Sequence, residues 1–272
     1  MATRRFLAAA VQVCAGSDKA ANLDKAEAFA REAARRGAQL VVLPEVFAWR
    51  GPRDREIDIA EPIPGPTTAR LAQLARDLRV HLLAGSLLER AGSDRKVFNT
   101  SCVFDPRGEL LARYRKAHLF DVDIAGHVTI RESDTRQSGD EIVAVETELG
   151  CIGLTVCYDL RFPELYRRLT AAGAQIITVP SAFTFPTGAA HWEILLRARA
   201  IENQVYVIAP DQIGRSPSGV NDFGNSLIVD PWGKPLARAA DREMVIIAEI
   251  DLDYLDQVRR ELPSLTHIKF QP

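Results

Sequence analysis

The chain is organised around the stretch GCIGLTVCYDLRFPE, which covers residues 150–164. Its alternating apolar residues predict a buried strand that ends at Cys157, and Pro163 indicates a helix over about residues 162–172. A thiol between a strand end and a helix N-terminus lies where clefts form in α/β proteins, and where unpaired N–H groups favour a thiolate. A free cysteine is more often inert packing, so Cys157 needs support from other segments to count as a nucleophile.

The composition is typical of a globular protein and indicates neither a nucleic-acid nor a membrane partner. With 272 residues, 47% apolar and 26% charged, the chain suits one large domain or two small ones. The net charge of −2 favours neither nucleic acid nor an anionic membrane, and no apolar run reaches the ~18 residues that span a bilayer. Residues 6–13 continue into the pattern of the fold, so we interpret them as a first strand rather than a signal peptide.

The cysteines are too few for a disulfide scaffold and fit a reducing cytoplasm; they are Cys14, Cys102, Cys151 and Cys157. No CxxC or HxxxH pair occurs, so the sequence predicts no structural zinc site. We expect no metal and no other cofactor.

Strand and helix patterns alternate through the chain and predict an α/β fold with two similar halves. The first half is expected to contain helices capped by Asn22 and by Thr67 or Thr68, and strands over 6–13, 39–43, 80–88, 97–105 and 109–114. The second half is expected to contain a hairpin over 142–157, helices over 162–172 and 191–203, and strands over 174–179, 204–209, 223–230 and 234–238.

Two features suggest that these halves are related by pseudo-symmetry. Each half ends in a D-P-x-G hairpin, at residues 105–108 and 230–233, and residues 39–44 and 175–180 look like equivalent strands. We therefore expect a four-layer α-β-β-α sandwich, with two mixed sheets face to face and helices on both outer surfaces.

The remaining segments are predicted to complete one domain over residues 1–272. We expect a last strand over 244–250, a helix over 252–262 and an extended tail over 263–272. Loops are predicted at 49–66, 115–140 and 211–222. A loop as long as 115–140 inside a compact domain is usually functional.

Three chemically capable side chains lie at the ends of predicted strands. Glu45 follows the strand at 39–43, Lys116 follows the hairpin strand at 109–114, and Cys157 ends the strand described first. Charges placed directly after buried apolar runs are costly unless they are paired or used. Each residue alone is most simply an exposed loop charge or a packed thiol, so the argument depends on the three together.

Together, the segments around these residues resemble the three signature segments of the nitrilase superfamily of carbon–nitrogen hydrolases. These segments are LPE at 43–45, YRKAHLF at 114–120 and CYDLRFPE at 157–164. Further similar segments are PSAF at 180–183, RARAIEN at 197–203 and DPWG at 230–233, so that the resemblance covers about residues 5–262. The segments at 121–126 and 131–133 resemble the Nit-type amidase branch, which includes deaminated-glutathione amidases and ω-amidases.

The resemblance implies an amidase with a catalytic triad of Glu45, Lys116 and Cys157. Cys157 would attack the amide carbonyl and form a thioester, with its pKa lowered by Lys116. Lys116 and the backbone N–H of Tyr158 would stabilise the oxyanion. Glu45 would act as a base toward Cys157, as an acid toward ammonia and as a base toward water. Glu132 matches a second family glutamate, which would position Lys116 or the substrate.

The substrate pocket is expected at the loop after the strand over 174–179, with Phe183, Thr184 and Thr187 at its rim. His118 and Phe120 are expected to order the lysine loop rather than to react. Relatives in this branch commonly have a histidine before the serine in the segment that reads FGNS at 223–226 here. This departure touches no triad residue, but together with the 211–222 loop it leaves the specific substrate open.

The resemblance implies a small carboxylated amide as the substrate, similar to α-ketoglutaramate or deaminated glutathione. A true nitrilase or an N-carbamoyl-amino-acid hydrolase would use the same triad, and a scaffold that acts through a partner protein is a non-enzymatic alternative. The resemblance also implies a homodimer or larger assembly through the helices at about 162–172 and 188–203.

Overall fold

The computed structural model describes residues 4–90, 92, 96–126 and 128–270. The α-helices of these residues are α1 (Lys19–Arg35), α2 (Glu56–Ile59), α3 (Pro66–Leu78), α4 (Pro163–Ala171), α5 (Phe185–Asn203) and α6 (Leu252–Glu261). Short 3₁₀-helices occur at Arg53–Arg55, Glu132–Asp134, Cys157–Arg161 and Ser264–His267. Within the same residues, no helix has both the length and the apolar character that a membrane span requires.

The strands of the first half are β1 (Arg5–Gln12), β2 (Ala38–Val42), β3 (His81–Leu83), β4 (Leu87–Glu89), β5 (Val97–Phe104), β6 (Leu110–Arg115), β7 (Asp121–Ile124), β8 (Val128–Arg131) and β9 (Arg136–Gln137). Those of the second half are β10 (Ala144–Thr147), β11 (Gly150–Leu154), β12 (Ile176–Thr178), β13 (Tyr206–Ala209), β14 (Ile213–Arg215), β15 (Asn221–Phe223), β16 (Leu227–Val229), β17 (Pro235–Arg238) and β18 (Met244–Asp251).

Two mixed sheets form the centre of the molecule. The first has the order β18-β1-β2-β3-β5-β4, with β6 and β9 also paired to β5, and the second has the order β10-β11-β12-β13-β16-β17. Residues alternate between the two faces of each strand, as the two-residue period of a strand requires. In β1, Ala8 and Ala10 share a core with Ile152 of the second sheet, whereas Ala9 and Val11 pack in a separate core with residues of α1 and α3.

The layers therefore run α-β-β-α, as the sequence predicted. Helices α1 and α3 cover the outer face of the first sheet, and α4 and α5 cover that of the second. Both layers of helices are needed because the central parallel strands are apolar on both faces and must be shielded from water on both.

The strand order supports the predicted pseudo-symmetry. In the first sheet β1, β2 and β3 are parallel, and β5 and β6 follow antiparallel. In the second sheet β11, β12 and β13 are parallel, and β16 and β17 follow antiparallel. Strands β2 and β12 thus occupy equivalent places, as the similarity of residues 39–44 and 175–180 indicated.

The two D-P-x-G turns have the same hydrogen bonds. Asp105 Oδ1 accepts from the N–H groups two and four residues later, at 2.9 and 2.8 Å, and Asp230 Oδ1 does so at 2.9 Å in both cases. Gly108 and Gly233 adopt φ of 79° and 84°, which a side chain would disfavour. The aspartate hydrogen bonds and the positive φ of the glycine explain why the same sequence occurs at both turns.

The predicted helix caps were wrong at both helices of the first half. Asp18, not Asn22, caps α1, with Oδ1 accepting from Ala21 N at 3.1 Å. Asn22 is buried inside α1 instead, where its amide donates to Ala48 O at 3.1 Å. The cap of α3 is Gly65, and Thr68 Oγ1 accepts from its N–H at 2.7 Å.

Several predicted segments differ in detail from those observed. The strand expected over 80–88 is divided into β3 and β4, because Gly85 turns the chain with φ of 40°. The loops expected at 49–66, 115–140 and 211–222 contain α2 with a 3₁₀-helix, the β7–β8 hairpin and the β14–β15 hairpin. The tail expected to be extended begins with the 3₁₀-helix at Ser264–His267.

Candidate active site

Glu45 lies just beyond β2, where the buried strand meets the second half of the chain. The residue is 3% exposed, and Oε1 accepts hydrogen bonds from Asn99 Nδ2 at 2.7 Å and Lys116 Nζ at 3.0 Å. Oε2 accepts from the N–H of Ala182 at 2.9 Å, while Gln212 Nε2 donates to the main-chain carbonyl at 2.9 Å. Hydrogen bonds from four separate segments of the chain therefore fix the position of Glu45.

Lys116 follows β6 and is buried between two carboxylates. Its Nζ lies 3.0 Å from Glu45 Oε1 and 2.9 Å from Glu132 Oε2. Burial by itself would lower the pKa of the ammonium, but the charges of Glu132 and Glu45 raise it well above its usual value. Lys116 is therefore a permanent cation at this site.

Glu132 extends the charged network away from Lys116. It is 2% exposed, accepts from Phe120 N at 2.7 Å and pairs with Arg136, which in turn contacts Glu56 Oε1 at 2.6 Å. Burial raises the pKa of Glu132, but Lys116 and Arg136 lower it by more, so the carboxylate stays ionised. Five buried side chains thus alternate in charge from Glu45 to Glu56.

Cys157 is the first residue of the 3₁₀-helix that follows β11. It has φ of 50°, a left-handed conformation that is uncommon for a residue with a side chain. Its N–H donates to Pro180 O at 2.9 Å. Strained backbone of this kind is typical of functional sites, and here it turns the thiol out of the sheet and toward Glu45.

The turn after Cys157 is tied to the lysine loop through Asp159. This buried carboxylate accepts from Val156 N at 2.8 Å, from Tyr114 Oη at 2.8 Å and from His118 N at 3.1 Å. The ring of His118 also lies 2.7 Å from Asp159 through Nδ1. His118 therefore orders the lysine loop, in agreement with its predicted role, and Asp159 is a residue that the sequence analysis missed.

The backbone N–H of Tyr158 lies at the start of the 3₁₀-helix. The first N–H groups of a helix have no partner within it. In the part of the chain that the structure describes, no main-chain acceptor bonds to this group. It is free to donate to a ligand atom beside Cys157.

The proton at the site resides on sulfur rather than on Glu45. Burial raises the pKa of Cys157, the Glu45 charge raises it further, and Lys116 only partly opposes them. Burial, the largest effect, raises the pKa of Glu45, but Lys116, Arg136 and the hydrogen bond with Cys157 together lower it, and the net direction is downward. Lys116 does lower the thiol pKa, as the sequence analysis expected, but burial and the adjacent carboxylate outweigh the ammonium, so the pKa of Cys157 is raised overall.

A cavity connects these residues with the surface. It encloses about 550 Å³, counting open solvent at its mouth, and Glu45, Lys116, Cys157 and Glu132 all line it. Wall residues also come from the 49–66 segment, among them Trp49, Arg50 and Arg53. An outer cavity continues from it, and Arg53, Ile130 and Thr184 line both.

The three predicted pocket residues lie in different places. Thr184 lines the cavity. Thr187 is buried in the first turn of α5, not in a loop, and its hydroxyl lies 2.8 Å from that of Thr184. Phe183 is also buried, and its ring packs on Trp192 at a centroid distance of 5.0 Å. Neither residue lines the cavity: Thr187 belongs to α5, which begins earlier than the sequence indicated, and Phe183 is turned inward against Trp192.

The sequence analysis missed the arginines of the site. Arg136 follows Glu132 by four residues, a spacing that could have suggested a pair. Arg50 and Arg53 lie in a segment rich in proline and charge, and nothing in that composition shows which charges point inward. Arg50 Nη2 donates to Oδ1 and Oδ2 of Asp222, at 2.9 and 2.7 Å, and so joins this segment to β15.

Comparison with known proteins agrees with this geometry. Residues 7–260 match the family described as carbon–nitrogen hydrolase. The chain is 40% identical over 259 residues to omega-amidase NIT2 of Xenopus tropicalis, covering 95% of this chain and 93% of the relative. It is 43% identical over 268 residues to deaminated glutathione amidase of Synechocystis, covering 97% and 98% of the two chains.

Solved structures with the same fold include Nit3 of Saccharomyces cerevisiae, described as a member of branch 10 of the nitrilase superfamily. It has a TM-score of 0.87 and 34% identity, with 95% and 94% of the two chains covered. A mutant amidase from Nesterenkonia has a TM-score of 0.79 and 28% identity, with 95% of both chains covered. In that structure the acetamide moiety of fluoroacetamide is covalently added to the active-site cysteine. The present chain therefore belongs to the carbon–nitrogen hydrolase family and is an amidase of the nitrilase superfamily.

Proposed function

We propose that this enzyme hydrolyses the primary amide of a small carboxylate-bearing molecule and releases ammonia through a thioester on Cys157. One observation carries the proposal: a buried carboxylate, a permanent cation and a thiol, supplied by Glu45, Lys116 and Cys157, line one cavity. An amide carbonyl is a weak electrophile, and a thiol nucleophile divides its hydrolysis into two easier steps.

In the first step Glu45 takes the thiol proton as sulfur attacks the amide carbon. The carbonyl π electrons move to oxygen, and the resulting oxyanion is stabilised by the Lys116 ammonium and the Tyr158 N–H. Glu45 then returns the proton to nitrogen as the C–N bond breaks, so ammonia leaves and an acyl thioester remains.

In the second step Glu45 removes a proton from water, whose oxygen attacks the thioester carbon. The C–S bond breaks, the proton passes back to sulfur, and the product acid departs. Proton transfer between Cys157 and Glu45 moves negative charge within the site without changing its total. Glu132 would keep Lys116 in place through their 2.9 Å contact.

The substrate class is inferred from the relatives and from the polar walls of the cavity. An omega-amidase and a deaminated glutathione amidase are each at least 40% identical to this chain over more than nine-tenths of its length. Arginine side chains at the cavity wall suit a substrate that carries a carboxylate in addition to its amide.

A substrate screen tests the proposal. Ammonia release would be measured from a set of short amides with and without a terminal carboxylate, from the corresponding nitriles, and from N-carbamoyl amino acids. We expect release from the carboxylated amides, and none from a Cys157→Ala variant. Release from nitriles alone would contradict the proposal and favour a nitrilase. Activity only on carbamoyl compounds would favour an N-carbamoyl-amino-acid hydrolase.

The alternative of a non-catalytic scaffold is tested by the same screen. Absence of hydrolysis in the wild type would favour a scaffold, whereas full hydrolysis by Cys157→Ala would mean that the thiol is not the nucleophile. The presence of all three predicted triad side chains around one cavity argues against that alternative.

The assembly and location of the protein are part of the proposal. Ile194 and Ile201 on α5 are 69% and 49% exposed, and Trp232 of the second D-P-x-G turn is 59% exposed. Large apolar side chains left in water in this way favour a homodimer through α5 and its surroundings. Light scattering of an Ile201→Glu variant should show a smaller species than the wild type.

The four free cysteines fit a cytoplasmic location.

A further inference from the structure

Arg53 is a partly buried cation at the active-site cavity. It lies in the 3₁₀-helix Arg53–Arg55 and lines both the inner and the outer cavity. Its Nη1 is shielded from solvent, and no hydrogen-bond partner for this atom occurs among the residues that the structure describes. Leaving a buried charged donor unpaired is costly, so such a group is normally satisfied by a partner or a ligand.

The other cations of the cavity already have carboxylate partners. Lys116 contacts Glu45 and Glu132, and Arg136 contacts Glu132 and Glu56. Arg50, which lines the same wall, is paired with Asp222. An incoming anion would therefore have to displace an existing partner at each of these cations, but not at Arg53.

The segment that carries Arg53 is held firmly. Trp49 packs directly over Gly51, where an added Cβ would lie 2.2 Å from the indole, and its Nε1 donates to Ser17 O at 2.9 Å. Burial lowers the pKa of Arg53 and the nearby Arg136 lowers it further, while the charges of Glu132 and Glu56 oppose them only in part.

We infer that Arg53 binds the carboxylate of the substrate and thereby selects carboxylated amides over neutral ones. This inference rests on the proposed function and extends it by naming the residue that determines specificity. Arg53 lies where the inner cavity, which contains Cys157, meets the outer one. A short substrate can then direct its amide toward the thiol while its carboxylate accepts from the guanidinium.

The test compares two amides that differ only at the far end of the chain. Glutaramate carries a carboxylate where pentanamide carries a methyl group, and kcat/KM would be measured for both. We expect the wild type to have a higher kcat/KM for glutaramate than for pentanamide. In Arg53→Gln, the kcat/KM for glutaramate divided by that for pentanamide should fall about 10- to 100-fold, the range typical of a charged hydrogen bond. The matched control is Arg55→Gln, because Arg55 is exposed, pairs with Asp58 and does not line the cavity. Its ratio should equal that of the wild type.

A binding measurement keeps the inference testable if Arg53→Gln is inactive. Calorimetry would give the Kd of 5-oxohexanoate, in which a methyl ketone replaces the amide of glutaramate. We expect this Kd to rise by about the same factor in Arg53→Gln and to be unchanged in Arg55→Gln. An unchanged Kd or an unchanged kcat/KM ratio in Arg53→Gln would overturn the role of Arg53.

The outcomes separate this inference from the proposed function. A wild type that hydrolyses both amides equally well would overturn the role of Arg53 and leave the amidase in place. A wild type that hydrolyses nitriles but neither amide would overturn the proposed function, and the Kd comparison would still decide whether Arg53 binds the carboxylate.

Discussion

Lys116 Nζ lies 3.0 Å from Glu45 Oε1, although the two residues are 71 positions apart in the chain. This contact keeps Glu45 ionised in a buried place, where an isolated carboxylate would take up a proton. Glu45 in turn keeps the proton on Cys157. The resting site therefore contains an ionised base next to a neutral nucleophile, and proton transfer has to accompany the attack on the substrate.

Replacing Glu45 by glutamine should separate the two effects of its charge. We expect Glu45→Gln to reduce kcat/KM about 10²- to 10⁴-fold, the usual contribution of a general base. The same change removes the negative charge that raises the pKa of Cys157 and leaves Lys116 in place. The pH profile of Cys157 alkylation should therefore shift to lower pH, as followed by mass spectrometry of the labelled peptide.

The control for this experiment is Glu61→Gln, because Glu61 pairs with Lys19 and does not line the active-site cavity. Its alkylation profile should match that of the wild type. A shift to higher pH in Glu45→Gln, or full retention of activity, would contradict the arrangement described here.

Arg136 should be important for stability because it pairs with two buried carboxylates. Arg136→Met leaves Glu56 without its arginine and Glu132 with Lys116 alone. We expect a loss of about 3–5 kcal/mol in the free energy of unfolding, measured in urea at pH 7, as is typical when one member of a buried pair is removed.

Arg55→Met is the matched control for Arg136→Met. Arg55 pairs with Asp58 at the surface, where both side chains are more than half exposed, and exposed pairs contribute little. We expect no measurable change in the urea midpoint. Equal stability of the Arg136→Met variant and the wild type would show that the buried network is not needed for folding.

Asp211 should make stability depend on pH. Burial raises its pKa well above the usual value, and its Oδ2 has no hydrogen-bond partner among the described residues. The folded state then binds the proton more tightly than the unfolded state. The stabilisation is fully present below about pH 4 and is lost at about 1.4 kcal/mol per pH unit as the pH rises toward the folded pKa.

An Asp211→Asn variant lacks this titration and so provides the comparison. Its free energy of unfolding relative to the wild type should be larger at pH 7 than at pH 5. Urea unfolding of both proteins at the two pH values measures the difference. A difference that stays constant between pH 5 and pH 7 would mean that Asp211 is ionised in the folded protein.

Gly85 should be required for the placement of Glu45. Its φ is 40°, and an added Cβ would lie 1.9 Å from the carbonyl oxygen of Pro44, the residue before Glu45. We expect Gly85→Ala to lower the free energy of unfolding by about 3 kcal/mol, the sum of backbone strain and overpacking. It should also reduce kcat, because Pro44 has to move.

Gly126→Ala isolates the backbone part of this effect. Gly126 has φ of 74°, and among the described residues no atom other than those of its chain neighbours lies within 4 Å of the added Cβ. This variant should lose only about 1–2 kcal/mol and keep its kcat. Similar losses of kcat in both variants would show that contact with Pro44 is unimportant.

The sequence predicted the layers of the fold and the three central side chains for a simple reason. Strands such as β2 and β11 are short apolar runs, and Glu45 and Cys157 each follow three residues after the strand, although β11 ends at Leu154 and not at Cys157 as predicted. The helix caps were less predictable, because Asp18 and Asn22 are both good capping residues and only tertiary contacts decide between them. Burial of Asn22 against Ala48 is invisible in local sequence.

The charges of the site could be predicted only in part. Glu132 was found through a resemblance, whereas its partner Arg136 and the inward-facing Arg53 depend on how distant segments pack. The net direction of the shift in the Cys157 pKa could not be predicted for the same reason. Its pKa depends on the depth of burial, which the order of residues does not reveal.

The left-handed backbone at Cys157 sets stability and activity against each other at one residue. A residue with a side chain costs about 1–2 kcal/mol in this conformation, whereas glycine adopts it freely. Selection for thermal resistance alone would thus relax the backbone by introducing glycine at the position where turnover requires sulfur. The native protein is therefore less stable at this turn than a glycine variant would be. In return, the main chain holds the nucleophile in place.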